Sequence, residues 1–252
     1  MTLQTSELLA GRVALVTGGS RGLGREVVEA FAAAGADVVI AGRKIDSCKE
    51  TAAKVRAEYG VRALPVAANV GDWADCDALI EAAYGEFGRV DILVNNAGIS
   101  PLYPSLDAVG ESLFDKVIGV NLRGPFRLCA EIGTRMAAGD GGSIINISSV
   151  AATRSDVIAL PYSAAKAGLN NVTEGFAQAF GPKVRVNAIQ CGPFETDIAK
   201  AWPAEFRAQF ESAVALGRPG RPDEIIGAAL YFASDASSFC TGSILRLDGG
   251  IR

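Results

Sequence analysis

Seven short runs of nearly unbroken apolar residues punctuate the chain: Val13–Thr17, Val38–Ala41, Arg62–Ala67, Ile92–Asn95, Ser143–Ile147, Val184–Ile189 and Ser243–Leu247. A strand with one face in water alternates apolar and polar residues. Unbroken runs instead predict strands buried on both faces, as in a parallel sheet covered by helices. Longer Ala-rich stretches with helical spacing lie between them, near 23–34, 46–59, 74–87, 111–137, 162–180 and 222–233. Gly35 follows the first of these as a C′ glycine should. Pro222, Asp223 and Glu224 open the last one, with a proline and two acids in the first turn. Repeated strand–helix–strand units with short connections predict a seven-stranded parallel sheet with helices on both faces, a doubly wound α/β fold. No linker, repeat or change of composition divides the 252 residues, so a single domain over 1–252 is expected. The stretch near 191–220 is exceptional, being long and carrying Phe194, Trp202, Phe206 and Phe210 between the last two strands. It predicts an insertion that covers a substrate.

Composition narrows the chemistry. Apolar residues make up 49% and charged residues 21%, which excludes disorder as the dominant state. The net charge of −4 and a pI near 5.1 speak against nucleic acid as a partner, which would require a basic face. Histidine is absent, removing Ser-His-Asp and Cys-His catalysis and HExxH zinc sites together. Chemistry must therefore come from Tyr, Lys, Ser, Cys or carboxylates, or from an imported cofactor. The five cysteines (Cys48, Cys76, Cys129, Cys191, Cys240) are scattered without a CxxC pair, which predicts reduced thiols and no metal site. The first eleven residues lack a signal-peptide pattern, and no apolar stretch is long enough to span a bilayer. A cytoplasmic protein without membrane contact is expected.

The first strand runs directly into Gly18-Gly19-Ser20-Arg21-Gly22-Leu23-Gly24 and then a helix. Glycines allow a sharp turn and let backbone N–H groups approach a pyrophosphate, while the helix N-terminus adds partial positive charge. Any tight turn can use glycines. Their place after the first strand of a doubly wound pattern points to a dinucleotide, with Gly18, Ser20, Arg21, Gly22, Leu23 and Gly24 around it. At the end of the second strand, where an acid would accept a ribose 2′-hydroxyl, the chain reads Ala41-Gly42-Arg43-Lys44. Arg43 and Arg21 are either solvated surface charges or ligands of a 2′-phosphate. Their place at the adenosine end favours the second reading: NADP preferred, NAD possible.

Tyr162 and Lys166 stand at i and i+4 of a predicted helix, on one face. A fixed ammonium beside a phenol favours phenolate, so the pair predicts a Tyr whose pKa is lowered for acid-base work. Ser148 and Ser149 end the fifth strand, where doubly wound sheets bind ligands. A hydroxyl there can hold a substrate carbonyl. Asn121 lies inside the stretch 111–137, four residues before Pro125. In an α-helix its carbonyl would lack a donor, free to hold a water; otherwise the proline marks only a kink.

These residues together resemble the short-chain dehydrogenase/reductase family in its classical form, over essentially the whole chain. The matching pieces are TGGSRGLG at 17–24, NNAG at 95–98, Asn121, INISS ending at Ser149, YSAAK at 162–166 and LDGG at 247–250. The resemblance implies a Rossmann-type fold and an NAD(P)-dependent exchange of hydride with a ketone or secondary alcohol. It assigns the acid-base to Tyr162, ribose binding and pKa lowering to Lys166, carbonyl orientation to Ser149 and a proton relay to Asn121. It also implies cofactor contacts from Asn69, Val70, Asn95, Ala97, Gly98, Gly192, Phe194 and Thr196. Two departures stand out: Asn69 where many members have Asp, and Cys191 where Pro is common. A nucleophilic role for Cys191 is disfavoured, since little beside it would lower its pKa.

The pocket expected from Ile99–Pro104, Phe194, Ile198 and Trp202 is apolar and of moderate size, with Ala151, Thr153, Arg154 and Asp156 near its entrance. Two alternatives remain open. One is a 3-oxoacyl-carrier-protein reductase, although Ala138-Gly139-Asp140-Gly141-Gly142 lacks the basic residues those enzymes commonly carry before strand 5. The other is a non-catalytic dinucleotide-binding regulator. The family resemblance implies a homotetramer.

Overall fold

The computed structural model describes residues 7–196 and 213–251. Seven strands form one parallel sheet: β1 (Val13–Thr17), β2 (Asp37–Gly42), β3 (Ala63–Ala67), β4 (Ile92–Asn95), β5 (Gly142–Ser149), β6 (Val184–Cys191) and β7 (Ile244–Leu247). Their spatial order is β3-β2-β1-β4-β5-β6-β7. The runs read from sequence are these strands, shifted by a residue or two at the ends. β5 and β6 continue past the expected ends because Ser148 and Ser149 pair with Gln190 and Cys191 in register, although polar residues break the apolar run.

Side chains alternate between two buried layers. Val16, Ile40 and Val94 pack with Val27, Val28 and Phe31 of α1 (Gly22–Ala33), with Val55 of α2 (Ile45–Tyr59), and with Phe232 of α7 (Ile226–Ala233). Leu15, Val39 and Leu93 pack on the other face. That face is covered by α3 (Trp73–Phe87), α5 (Gly124–Ala138) and α6 (Leu160–Phe180). Each large side chain so buried contributes about 1.5–3 kcal/mol of transfer free energy. Gly35 takes φ +89, the left-handed conformation a C′ residue needs. The last helix opens through a 3₁₀ turn, Pro222–Ile225, in which Glu224 accepts the Arg221 N–H at 2.7 Å.

One expectation needs correction. Residues 111–137 are not one helix but α4 (Glu111–Ile118), a π-helical turn (Gly119–Arg123) and α5. In that turn the Gly124 N–H reaches back five residues to the Gly119 carbonyl. At that spacing the N–H missing from Pro125 falls opposite Val120, not Asn121, so the argument from α spacing does not carry over. The aromatic residues Trp202, Phe206 and Phe210, and with them most of the expected insertion, lie outside the described residues.

Sheet order sets the site. The chain leaves β1 toward β2 and β3, then returns to β4 on the other side. The carboxyl ends of β1 and β4 therefore part and leave a crevice, the place where doubly wound sheets hold ligands.

Candidate active site

The crevice is a cavity of about 1300 Å³. Ordinary small-molecule pockets span roughly 300–1,000 Å³, so this one has room for a dinucleotide and a second molecule. Its floor is sewn together by Thr17 and Asn96. The Thr17 hydroxyl accepts the backbone N–H groups of Asn96 (3.0 Å) and Ala97 (3.1 Å). The Asn96 amide donates to the carbonyls of Thr17 (2.9 Å) and Gly18 (3.2 Å). A Cβ on Gly18 would come within 2.8 Å of that amide, and one on Gly24 within 2.3 Å of the Gly18 carbonyl oxygen. Only glycine lets the strand turn into α1 this closely. Gly22, at φ +52, would meet nothing nearer than Thr196 at 3.7 Å, so its side is open space.

α1 begins behind Arg21 with no side-chain cap and no acid in its first turn. Its first N–H groups therefore await an anion. Gly18, Ser20, Arg21, Gly22 and Leu23 line the cavity. Arg43 lines it too; it and Arg21 are exposed, and neither takes part in an ion pair among the described residues. Asn69 and Val70 line the same end. The Asn69 side-chain oxygen accepts the Gly71 N–H at 3.2 Å, which leaves its NH₂ free to donate.

Two expected cofactor contacts stand apart from the cavity. Gly24 serves helix–strand packing. The Asn95 side chain is buried in a polar chain: its amide donates to Asn146 (2.9 Å), whose own amide donates to Thr173 (2.9 Å). Asn96, the second Asn of the NNAG run, is the one at the cavity, and sequence reading missed it. Adjacent strand residues point to opposite faces, which is the signal that could have separated them.

The other wall holds Ser149, Tyr162 and Lys166. Ser149 ends β5, and its hydroxyl oxygen accepts the Ala151 N–H at 3.2 Å, leaving its own O–H to donate. Tyr162 and Lys166 lie one turn apart on α6, with the Lys166 Nζ 5.6 Å from the centre of the Tyr162 ring. That ammonium donates to the Ile147 carbonyl at 2.7 Å and keeps two N–H groups. Ser148 also borders the cavity; it is buried and its hydroxyl has no partner. Asn121 is fully buried and its side chain is spent. Its amide donates to the carbonyls of Ile99 (2.8 Å) and Val117 (2.9 Å), and its oxygen accepts the Ile99 N–H at 3.2 Å. Gly98 passes between this side chain and Lys166; a Cβ there would lie 3.0 Å from the Asn121 oxygen and 3.8 Å from the Lys166 Nζ.

Burial governs protonation here. It pushes the Tyr162 phenol up to about 12, against a lowering hydrogen bond with Ser149. It brings the Lys166 ammonium down to about 8. The lowered phenol expected from the adjacent cation is thus reversed: desolvation outweighs the Ser149 hydrogen bond, and the ammonium is turned toward the Ile147 carbonyl. The Cys191 thiol, paired in register with Ser149, is pushed up to about 12 by burial, only partly offset by Lys166. It is an inert wall, as its surroundings in sequence suggested.

Gly192, Phe194 and Thr196 complete the lining beyond β6. A Cβ on Gly192 would lie 2.7 Å from the Asp248 Cα, which explains the close seat of the LDGG run. At the far end stand Leu102, Tyr103, Val150, Ala151, Arg154 and Asp156. Thr153 instead accepts from Gln190 at 3.1 Å, and Ile198 and Trp202 lie outside the described residues. No group of three metal-ligating side chains occurs among the described residues.

Known proteins resemble this chain in sequence and fold. The profile of the family described as Enoyl-(Acyl carrier protein) reductase matches residues 18–252. A short chain dehydrogenase/reductase of Aspergillus oryzae is 39% identical over 249 residues, covering 96% of this chain and 95% of its own. A 3-oxoacyl-acyl-carrier-protein reductase of Aquifex aeolicus is 34% identical over 246 residues, covering 96% and 98%. Among solved structures, 7α-hydroxysteroid dehydrogenase complexed with NADH and 7-oxo glycochenodeoxycholic acid superposes with a TM-score of 0.94 at 30% identity, over 100% of this chain and 98% of that one.

Proposed function

The chain belongs to the short-chain dehydrogenase/reductase family, and on that premise we propose that it exchanges hydride between NADP(H) and a ketone or secondary alcohol, with Tyr162 as proton donor and acceptor. Membership makes it an NAD(P)(H)-dependent oxidoreductase of carbonyl or alcohol substrates. The observation that carries the finer reading is the meeting of Ser149, Tyr162 and Lys166 with the glycine loop in one cavity.

The residues present fit a dinucleotide: an uncapped helix N-terminus, a glycine turn with open space at Gly22, and two arginines at the adenosine end. Gly18 to Leu23, Arg43, Asn69, Val70, Ala97, Gly98 and Thr196 would hold it, and Lys166 would grip its inner ribose. When bound, the nicotinamide supplies or accepts the hydride at the substrate carbon. The remaining work falls to this chain. Ser149 donates its free O–H to the carbonyl oxygen and orients it. Tyr162 gives that same oxygen its proton as the carbon is reduced, and recovers one from solvent afterwards. In the opposite direction the phenolate accepts the alcohol proton. Asn121 ties Ile99 to the π turn and so fixes the wall beside Lys166.

A second reading, reduction of a 3-oxoacyl group on a carrier protein, draws support from the Aquifex relative. It ranks lower because the segment before β5 presents Asp140, nearly 80% exposed, where an acidic carrier would need a base.

Arg43 offers a guanidinium to a 2′-phosphate, where an acid would repel one. Solvent and salt trim the gain from an exposed pair, leaving a preference of about tenfold. A screen of ketones and secondary alcohols, followed by nicotinamide absorbance in both directions, tests the proposal. The expected result is turnover with NADPH favoured over NADH by about tenfold in kcat/KM, eroded in Arg43→Ala through the NADPH KM. Absence of turnover throughout would reject the enzyme reading, and equal use of both cofactors would reject the role of Arg43.

A further inference from the structure

We propose that Tyr103 is the positioning residue for Tyr162, capping the helix that carries it and tying that helix to the loop after β4; the inference rests on Tyr162 being the acid-base.

The first N–H groups of a helix have no partners within it and must find them elsewhere. In α6 the usual source is missing: Ala159 stands at the N-cap and has no side-chain acceptor, and Pro161 follows in the first turn. The first of these N–H groups is that of Leu160. It donates at 2.9 Å to the phenol oxygen of Tyr103, 57 residues away in sequence. The same hydroxyl donates at 2.7 Å to the Val157 carbonyl. One oxygen thus holds both sides of the turn that delivers the chain to Tyr162, two residues beyond Leu160.

The loop that carries Tyr103 is fixed at its other end by Asn121, which brackets Ile99 through both its N–H and its carbonyl. Residues 99–103 therefore form a strut between the π turn and the start of α6, with a two-bond anchor at each end. Local bonds hold the turn to itself and to α6: Asp156 accepts the Ile158 N–H at 3.1 Å, and the Asp156 N–H reaches Ser163 of α6 at 3.4 Å. Neither bond sets where the turn sits across the cavity. Tyr103 does. Its O–H and one lone pair are already committed, so it does not serve the substrate as an acid. Its contribution is placement, and a displacement of about 1 Å at a reacting group can cost 10²-fold in rate.

The test is Tyr103→Phe, which keeps the ring and removes both hydrogen bonds. The account expects kcat to fall at least about tenfold. The NADPH dissociation constant and the unfolding temperature should stay near wild type, and amide exchange at Leu160 should become fast. Wild-type kcat in this variant would overturn the proposal, as would a loss of rate matched by loss of cofactor binding and stability. Should the variant not fold, exchange in the wild-type protein decides: a protected Leu160 amide supports the cap, and exchange at the rate of a free chain overturns it. Tyr162→Phe in the same assay separates the two ideas. If that variant turns over normally, the acid-base reading and this inference fall together. If it is inactive while Tyr103→Phe is normal, this inference alone falls.

Discussion

In the proposed mechanism Tyr162 passes a proton beside the charged Lys166, and burial pulls the two groups in opposite directions. The phenol sits at about 12 and the ammonium at about 8. Carbonyl reduction needs the neutral phenol and the charged ammonium. The phenol keeps its proton throughout the neutral range, while Lys166 loses its proton as pH rises through about 8. Reduction, measured as kcat/KM in the free enzyme, should therefore be level through neutral pH and decline above about 8. Alcohol oxidation needs phenolate and should rise toward alkaline pH. Profiles in both directions check this, and a reduction rate that climbs with pH would contradict it. The i, i+4 spacing revealed that the two side chains share a face, but it held no information on burial. The direction of the phenol shift was therefore misread. The pattern of the chain offered Ser148 and Ser149 together at the end of β5, and only the family resemblance singled out Ser149. Asn95 and Asn96 are the same residue type side by side, and which one meets the cavity depends on the face each takes at the end of β4.

At the scale of elements, strands were the most legible because burial on both faces leaves an unmistakable run. Helix positions followed from spacing and from punctuation such as Gly35 and Pro222. The π turn was hidden. One extra residue in a turn changes the apolar period too little to show, and Pro125 announces a break without its kind. That turn is held from outside as much as from within. A Cβ on Gly124 would lie 2.0 Å from the Val70 carbonyl oxygen, a backbone atom with nowhere to go. Gly124→Ala should therefore destabilise the fold by about 1–3 kcal/mol, the usual cost of overpacking. It should also lower activity, since the turn carries Asn121. Urea unfolding checks the first expectation, and an unchanged midpoint would show that the turn yields freely. The strut through Tyr103 was invisible for a different reason: its two ends are joined only by tertiary structure.

For the whole molecule, one parallel sheet with a switch between β1 and β4 places the glycine loop and the Ser149–Tyr162–Lys166 wall on two sides of a single crevice. The sequence placed both groups at the carboxyl ends of strands, where doubly wound sheets bind ligands, but it carried no strand order and so no switch point. β7 is one of the two sheet edges, and Phe239 and Leu245 near it are exposed. We propose that this edge is buried in a homotetramer, which light scattering would read as about four times the 26.1 kDa chain and a particle of single-chain mass would refute.

The central claim is that Tyr162 supplies the proton while the rest of the crevice holds the reactants. The direct measurement is turnover of Tyr162→Phe beside its NADPH affinity, the first by absorbance and the second by fluorescence titration. The account predicts unchanged affinity, because the ring still packs, and a loss of kcat by about 10²–10⁴, the range of a general acid. Turnover near that of the wild type would contradict it.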